Sequence, residues 1–159
     1  MKANTSSPDR RVTTIDDLIA ACRDTGARRV IVNGTLENAP SIRLAPGQAL
    51  LGEDDHGSIA FAHGVDGLQL TTDNQVSGLR LTASPDKRVI FNDTQVAGLG
   101  RMRLAGITAV GQVQILVREA VMSGHVDVEG LDIVAADARA RSERPHGFGV
   151  YVLQGAFTR

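Results

Sequence analysis

The chain is poor in aromatic residues and has a single cysteine, which limits how its core can be built. It has no tryptophan, one tyrosine and four phenylalanines among 159 residues. Cys22 cannot form an internal disulfide, and we expect it to be a small buried side chain rather than a nucleophile. The 42% of residues that are hydrophobic are therefore mainly Val, Leu, Ile and Ala. Such side chains pack closely when equivalent residues stack in regular coils.

The chain also lacks a charge excess and a long apolar run. Its formal net charge is −1, so no general field attracts nucleic acid. Apolar runs such as Val30–Val32 fall far short of the roughly 20 residues that cross a bilayer. We therefore expect neither a nucleic-acid partner nor a membrane span. The N-terminal residues show no secretory signal, which fits a cytoplasmic protein or a secreted one whose signal has been removed.

One amphipathic helix is predicted near the N-terminus. Thr14 is suited to cap its start, and Gly26 marks its end. Four apolar residues recur at the helical period and form one face: Ile15, Leu18, Ile19 and Cys22. We place the helix at about residues 14–25, expect residues 1–13 to form a flexible tail, and assign residues 14–159 to one domain.

Beyond Gly26 the hydrophobic period changes to two, and a short glycine motif recurs. Apolar runs alternate with Gly, Asn and Asp turns, which is typical of β-strands. A tetrad of an aliphatic residue, any residue, glycine and Leu or Ile occurs five times, at Val65–Leu68, Val76–Leu79, Val96–Leu99, Leu104–Ile107 and Val128–Leu131. A motif that recurs at a regular step indicates a solenoid.

Two series of residues predict the length of one coil. Leu79, Ile107 and Leu131 follow one another at intervals of about 24–28 residues, and Leu51 lies one such interval before Leu79. A second series, with intervals of about 24–30 residues, runs through Val30, Ile59, Val89 and Val113. These intervals predict an all-β solenoid of about five coils, each of about 24–30 residues. A β-sandwich also has many short strands, but it has no reason to repeat one glycine motif at a near-constant step.

These features resemble the pectin-lyase-like family of right-handed parallel β-helices. The likeness covers most of residues 14–155, including the helix, the strand Arg29–Asn33, the Pro-Gly turn that leads into Ala49–Gly52, and the tetrad coils. It implies a right-handed parallel β-helix with one N-terminal capping helix. Family members that act on polysaccharides use clustered aspartates that bind calcium, or paired carboxylates beside an Arg or Lys. The resemblance concerns the fold, and one fold hosts many functions.

A candidate catalytic set lies on one predicted strand. Alternation turns His125, Asp127 and Glu129 to the same face. The coil step that separates Ile107 from Leu131 also places Arg103 beside Asp127, about 4.8 Å away in the neighbouring coil. Asp127 or Glu129 would be the acid or base, Arg103 would bind a sugar carboxylate and His125 would tune the site. The same set could hold a cation. The alternative is that Arg103 and Asp127 form an exposed ion pair, which contributes less than about 1 kcal/mol to the stability of the fold. This alternative is favoured, because any polar outer face of a β-helix produces such rows.

A second polar row follows from the same coil steps. One step back from Asp132 is Thr108, and one further step back is Arg80. We predict that these three side chains lie on one outer face and form a binding surface.

Two charged segments are candidates for ion binding. Glu53–Gly57 contains three carboxylates and a histidine, a composition that suits calcium. Its spacing matches no known calcium loop, so a solvated turn is favoured. Asp137–Gly147 contains three arginines and interrupts the strand pattern. We expect it to leave the solenoid as a loop, which either binds an anion or serves only solubility.

The two ends of the predicted solenoid differ. The helix covers the first coil, whereas residues 154–159 after the strand Phe148–Leu153 are too few for a helix of typical length. Because open strand edges are templates for another chain, we predict an interface at Val150, Tyr151, Val152 and Leu153. Its simplest product is a twofold homodimer. A chain cut from a longer protein would have the same open end.

The predicted function is a non-catalytic module for binding or assembly, with a polysaccharide or another protein chain as its partner. The near-absence of aromatic residues argues against strong sugar stacking and favours assembly. The alternative is a carbohydrate-active enzyme, of the polysaccharide lyase or glycoside hydrolase type, that acts on an acidic polysaccharide. We expect no cofactor for the binding module, and calcium only for the enzyme.

Overall fold

A computed structural model describes residues 9–116, 123–137, 150–153 and 156–157. Within them the chain forms one α-helix, α1 (Ile15–Arg23), and one 3-10 turn at Glu53–Asp55. The strands are β1 (Asp9–Val12), β2 (Arg29–Val32), β3 (Thr35–Ala39), β4 (Ile42–Arg43), β5 (Ala49–Gly52), β6 (Gly57–Phe61), β7 (Leu68–Leu70), β8 (Gln75–Ser77), β9 (Leu79–Thr82), β10 (Arg88–Asn92), β11 (Gly98–Val110), β12 (Gln112–Leu116), β13 (Ser123–Ala135), β14 (Val150–Leu153) and β15 (Ala156–Phe157). Most of the predicted arginine loop, residues 138–147, lies outside the described residues.

The strands stack as a parallel β-helix of about five coils, which confirms the predicted fold class. Face one consists of β1, β2, β5, β8 and the first halves of β11 and β13. Face two consists of β3, β6, β9, the second halves of β11 and β13, and the short β15. Face three consists of β4, β7, β10, β12 and β14. Strands inside the stack therefore pair with strands of the coils before and after them, and the strands at the ends of a face pair on one side among the described residues.

Apolar residues of successive coils form ladders inside the solenoid. The ladder of face one contains, in successive coils, Val30, Leu50, Val76, Leu104 and Val128. The ladder of face two contains Leu36, Ile59, Leu81, Ala109 and Ile133. Contacts between consecutive coils therefore build one continuous core.

The first predicted series is largely confirmed and the second is wrong. Leu79, Ile107 and Leu131 are all buried, and Ile107 is registered with Leu131. Leu51 is not in line with them, because it pairs with Ser77. The second series, Val30, Ile59, Val89 and Val113, combines residues of faces one, two and three. Since every coil crosses all three faces, apolar residues of different faces also recur at about one coil length.

Three of the five tetrads mark the same corner of the solenoid. Gly78, Gly106 and Gly130 have left-handed φ values of 65°, 59° and 61° and lie where the chain turns from face one to face two. This conformation strongly favours glycine. The other two tetrads lie elsewhere, because Gly67 precedes β7 on face three and Gly98 begins β11.

Helix α1 caps the N-terminal end as predicted. The Thr14 hydroxyl oxygen accepts a hydrogen bond from the backbone N–H of Asp17 at 3.1 Å. The helix ends at Arg23, and Asp24 rather than Gly26 caps it: the Asp24 backbone N–H donates to two helical carbonyls, and its carboxylate accepts from the Gly26 N–H. Leu18, Ala21 and Cys22 are buried against the first coil. Burial raises the pKa of the Cys22 thiol to about 12, consistent with a packing role.

Residues 9–12 are not part of a flexible tail, which corrects that prediction. They form β1 and pair in parallel register with β2, with Val12 registered with Val32. Val12 is 2% exposed and belongs to the core. The strand forms because it satisfies the backbone groups along the open edge of β2. Residues 1–8 lie outside the described residues.

Buried amides hold consecutive coils together between faces three and one. Gln48 Nε2 donates to the carbonyls of Ala21 and Ala27 at 3.1 and 3.0 Å, which ties the end of α1 to the second coil. Asn74 Nδ2 donates to the carbonyls of Ala45 and Gln48 at 2.9 and 3.0 Å. Both side chains are 1% exposed. They satisfy backbone carbonyls at places where the chain is between strands.

Candidate functional site

The three predicted acid–base residues of β13 lie on the outer surface of face one. His125, Asp127 and Glu129 alternate with Val126 and Val128, which pack against the core. This is the period-two arrangement that the sequence predicts. His125 Nε2 lies 2.9 Å from Asp127 Oδ1, so the imidazole and this carboxylate form a hydrogen-bonded pair.

The arginines of the preceding coil contact these carboxylates with an offset of two positions along the strand. Arg103 is the Cα partner of Asp127, as predicted. Its side chain nevertheless pairs with Glu129, with Nη2 3.1 Å from Oε2. The Nε of Arg101 lies 3.4 Å from Asp127 Oδ2. Arg103 therefore stands beside Asp127 as predicted, but its ion pair is with Glu129, because side chains on a strand lean along it and a long arginine reaches the next outward position.

Sequence reasoning missed Arg101 and its support from Asp73. Asp73 Oδ1 accepts a hydrogen bond from the Arg101 backbone N–H at 2.8 Å. The neighbouring Gly100 has a φ of 62°, and a Cβ there would lie 2.1 Å from the same carboxylate oxygen. Glycine therefore lets Asp73 reach the backbone. The signal was present in the sequence, since Arg101 precedes His125 by the same interval that separates Arg103 from Asp127.

The charges of this cluster keep Asp127 ionised. The hydrogen bond with His125 is the largest effect and lowers the pKa of Asp127 below its ordinary value. Desolvation is the next largest effect and opposes this shift, whereas the charge of His125 and the hydrogen bond and charge of Arg101 lower the pKa further. A general acid requires the opposite shift, because it must hold its proton near neutral pH. Glu129 is also paired, and its side chain is 60% exposed. The cluster is an exposed network of ion pairs on a strand surface.

The second predicted row lies on face two in the predicted register. Arg80 is registered with Thr108, and Thr108 with Asp132. Ser58 extends the row by one coil toward the N-terminus. Arg80 and Asp132 are both exposed and stand two coils apart, too far for a direct ion pair at about 4.8 Å per coil. Among the described residues, Arg80 has no ion-pair partner.

The predicted interface residues form a strand that reverses the chain direction. Val150, Tyr151, Val152 and Leu153 make up β14, which pairs antiparallel with β12 on face three. The two residues of β15 likewise pair antiparallel with Leu131 and Asp132 of β13. The side chains of β14 and β15 lie outside the described part of the structure, so an interface at these residues stays a prediction.

The acidic segment Glu53–Gly57 forms a turn between β5 and β6, as predicted, with a 3-10 turn at Glu53–Asp55. Glu53 Oε1 lies 2.9 Å from Arg11 Nη1. Asp54 and Asp55 have left-handed φ values of 49° and 60°. Within the ranges that the structure describes, no group of three or more His, Cys, Asp or Glu side chains has the arrangement of a metal site. Calcium binding by the enzyme alternative stays a prediction.

A groove that the sequence did not predict lies beside the capping helix. Its volume is about 490 Å³, and it separates the C-terminal half of α1 from the segment Pro40–Pro46, which includes β4. Apolar side chains from both walls line it, among them Ile19, Cys22, Ile42 and Leu44. Of the described residues that line it, Arg23 and Arg43 are charged and none is a carboxylate.

Comparison with known proteins yields no relative. No family model, curated protein or solved structure matches this chain significantly. The resemblance to pectin-lyase-like proteins therefore rests on the β-helix pattern alone. No helix in the described ranges is long and apolar enough to cross a membrane.

Proposed function

We propose that this chain is a non-catalytic assembly module that self-associates through the outer edge of β13 on face one. The observation that carries the proposal is the pairing of this strand. Within the described residues, β13 pairs with β11 along one edge, whereas β15 covers only Leu131 and Asp132 of the other. Residues 123–130 therefore present an eight-residue edge without a described partner. Unpaired strand edges favour the addition of another strand.

The core beneath this edge is only partly covered. Val126 and Val128 occupy core positions but are half-buried. Their partners one coil earlier, Met102 and Leu104, are both 0% exposed. One further strand beside β13 would bury the two valines more fully, and burial of apolar area favours association.

Charge complementarity favours a second copy as that strand. Two antiparallel copies of β13 keep their valines on the core side only if the twofold axis passes through a residue position. An axis at Asp127 places the two Asp127 carboxylates opposite each other, and an axis at Val128 places Asp127 opposite Glu129. An axis at Val126 places His125 of one copy opposite Asp127 of the other. Like charges opposite each other destabilise a strand pair, so the first two registers are disfavoured. The axis at Val126 instead faces each Asp127 carboxylate with an imidazole, which is able to donate a hydrogen bond to it.

Light scattering across a dilution series tests this assembly. We expect a dimer that dissociates on dilution, and at least a tenfold weaker dimer for His125→Glu, which places two acidic residues opposite each other. The double variant His125→Glu/Asp127→Lys exchanges the charges within one chain. Because a twofold interface brings position 125 against position 127, this exchange should restore dimerisation.

The control is Glu37→Lys, an exposed charge change in β3, far along the stack from β13. It should leave the dimer unchanged. A folded wild-type monomer at every concentration would refute the proposal. Failure of the folded double variant to recover dimerisation would refute the register through Val126.

A second candidate function is binding of an acidic polysaccharide on face two. Arg80 favours this function, because it is exposed and has no ion-pair partner among the described residues. Ser58 and Thr108 flank this cation in the neighbouring coils. Guanidinium and hydroxyl groups are suited to sugar carboxylates and hydroxyls. Polygalacturonate binding that Arg80→Ala abolishes and Arg23→Ala preserves would support this function. Absence of binding at physiological salt would oppose it.

The enzyme alternative is tested by its product. The wild type is assayed for turnover of an acidic polysaccharide with and without calcium. Turnover that both Asp127→Ala and Arg103→Ala abolish would support catalysis at face one. The lowered pKa of Asp127 and the pairing of Glu129 favour the non-catalytic module instead.

A further inference from the structure

The groove beside α1 is bounded on one side by an open strand edge. Strand β4 is the terminal strand of face three, and its only partner among the described residues is β7. The N–H groups of Ile42 and Leu44 donate to the carbonyls of Gly67 and Gln69, both at 3.0 Å. Residues alternate their backbone direction along a strand. The N–H and C=O of Arg43 therefore point away from β7, toward the groove.

The chemistry of the groove fits an extended chain better than a compact ligand. The Arg43 backbone supplies one donor and one acceptor at the strand edge, and such groups favour a hydrogen-bonded partner. Half-buried Ile19 supplies apolar surface from the α1 wall, and Ile42, which is 4% exposed, forms the opposite wall. Pro40 and Pro46 lie on either side of the open residue, where their fixed φ angles limit the freedom of the edge before binding.

The charges of the groove select an acidic ligand. Arg43 is paired with Asp93 on the outer surface of face three. Arg23, in the last turn of α1, is exposed and has no ion pair within the described ranges. With no carboxylate among the described lining residues, Arg23 leaves an uncompensated positive charge at the rim.

We propose that this groove binds an extended acidic peptide of a protein partner by strand addition to β4. The peptide backbone pairs with Arg43, an apolar side chain of the peptide packs between α1 and β4, and an acidic side chain or terminal carboxylate binds Arg23. Addition of a strand at a sheet edge next to a helix is an established mode of peptide recognition. This site lies at the opposite end of the solenoid from β13 and does not depend on self-association.

Fluorescence anisotropy with a labelled Ser-Val-Glu-Val-Asp peptide tests the proposal on the full chain. We expect saturable binding. The same peptide with its central amide N-methylated, which removes a backbone donor, and a version with Lys in place of Glu and Asp should each bind at least tenfold more weakly. Arg23→Glu should cause a similar loss, whereas Lys87→Glu, just before β10 and away from the groove, should bind as the wild type does.

Two substitutions of one residue separate the backbone from the side chain. Arg43→Pro removes the N–H that points into the groove, and proline is tolerated on edge strands. Arg43→Ala keeps this N–H and removes only the guanidinium. We expect at least a tenfold loss for Arg43→Pro and less than a threefold loss for Arg43→Ala. No saturable binding to the wild type, equal binding of the Lys peptide, or equal affinities of the two folded Arg43 variants would overturn the proposal.

Discussion

The two ends of the solenoid expose their cores to different degrees. At the N-terminal end, α1 and β1 cover the first coil, and Val30 and Val32 are 0% exposed. At the C-terminal end, Val128 occupies the same ladder as Val30 but is half-buried. The described strands at this end, β14 and β15, run antiparallel to the strands they cover. Val30 and Val128 are equivalent positions of the repeat, but they have different environments at the two ends of the solenoid.

This difference shows how a repeat protein assigns separate roles to its ends. Helix α1 covers the first coil and buries apolar side chains, and Gln48 binds the carbonyl of Ala21 in the helix and the carbonyl of Ala27 beyond its end. Among the described residues, a strand of only two residues pairs with the outer edge of β13, and the rest of that edge has no described partner. Terminal repeats generally need a dedicated cover. Here the covered end fixes the fold, and the open edge is where we propose assembly.

The largest loss of stability is expected for a substitution in the middle of the stack. It provides the reference with which substitutions at the two ends are compared. Ile107 is 1% exposed and lies between coils that cover it on both sides. Ile107→Ala should lower the free energy of unfolding by about 2–5 kcal/mol, because it leaves a cavity in a closed core. Urea unfolding followed by circular dichroism measures this. A loss of less than about 0.5 kcal/mol would be typical of a surface position and would contradict the register.

A matched pair of substitutions compares the ends directly. Val30→Ala and Val128→Ala remove the same atoms from the two ends of one ladder. We expect a loss of about 2 kcal/mol for Val30 and less than about 1 kcal/mol for Val128, in proportion to the apolar area that each buries. Urea unfolding at a concentration where the chain is monomeric provides the comparison. Equal losses would mean that the two ends are covered equally.

Removal of the amide that ties the helix to the solenoid should have a smaller effect. Gln48→Met keeps the volume of the side chain but removes the side-chain donor to the Ala27 carbonyl and one of the two donors to the Ala21 carbonyl, which still accepts from the Asp24 backbone N–H. We expect a loss of about 1–2 kcal/mol, since unsatisfied buried carbonyls carry a desolvation cost. Relative to the wild type, the variant should show a larger increase in amide hydrogen-exchange rate in α1 than in β11. Uniform acceleration along the chain would contradict a local role for this amide.

The smallest effect is expected at the charged surface of the open end, and it depends on pH. Because the folded state lowers the pKa of Asp127, its stabilising contribution is present above the unfolded pKa of about 3.9 and is lost as the pH falls through the folded value. Between pH 5 and pH 3, as round values on either side of that pKa, the wild type should lose more stability than Asp127→Asn. His125→Gln should reduce the difference, since His125 is the largest cause of the shift. Parallel pH profiles for all three proteins would contradict this coupling.

Much of the fold was predictable because its determinants are local or repeat. The period of Ile15, Leu18, Ile19 and Cys22 located α1. The tetrads at Gly78, Gly106 and Gly130 located a corner that requires a left-handed residue. Strand β1 was missed, because its sequence has little apolar patterning and it forms through pairing with β2. Pairing between distant segments leaves no signal within a short window of sequence.

The candidate site was predictable in position but not in its contacts. The coil step gave the register of Arg103 with Asp127 and of Arg80 with Thr108. It could not give the pairing of Arg103 with Glu129, since a Cα register does not specify how a long side chain leans. The groove was missed because it depends on how α1 packs beside β4, and helix orientation is a tertiary property.

The spacing of the ladders has a consequence for how the chain folds. Each pairing closes a loop of one coil, which on face one is shortest between Val30 and Leu50 and longest between Val76 and Leu104. The entropy of closing such loops changes only slowly with their length. Successive coils therefore meet nearly the same kinetic barrier, and each completed coil is a template for the next. The transition state should contain a small number of adjacent coils. Because a chain is synthesised from its N-terminus, the earlier coils are available first and growth should reach β13 late. Newly made chains would then expose the edge of β13 longest, at the stage when a second chain is also able to pair with it.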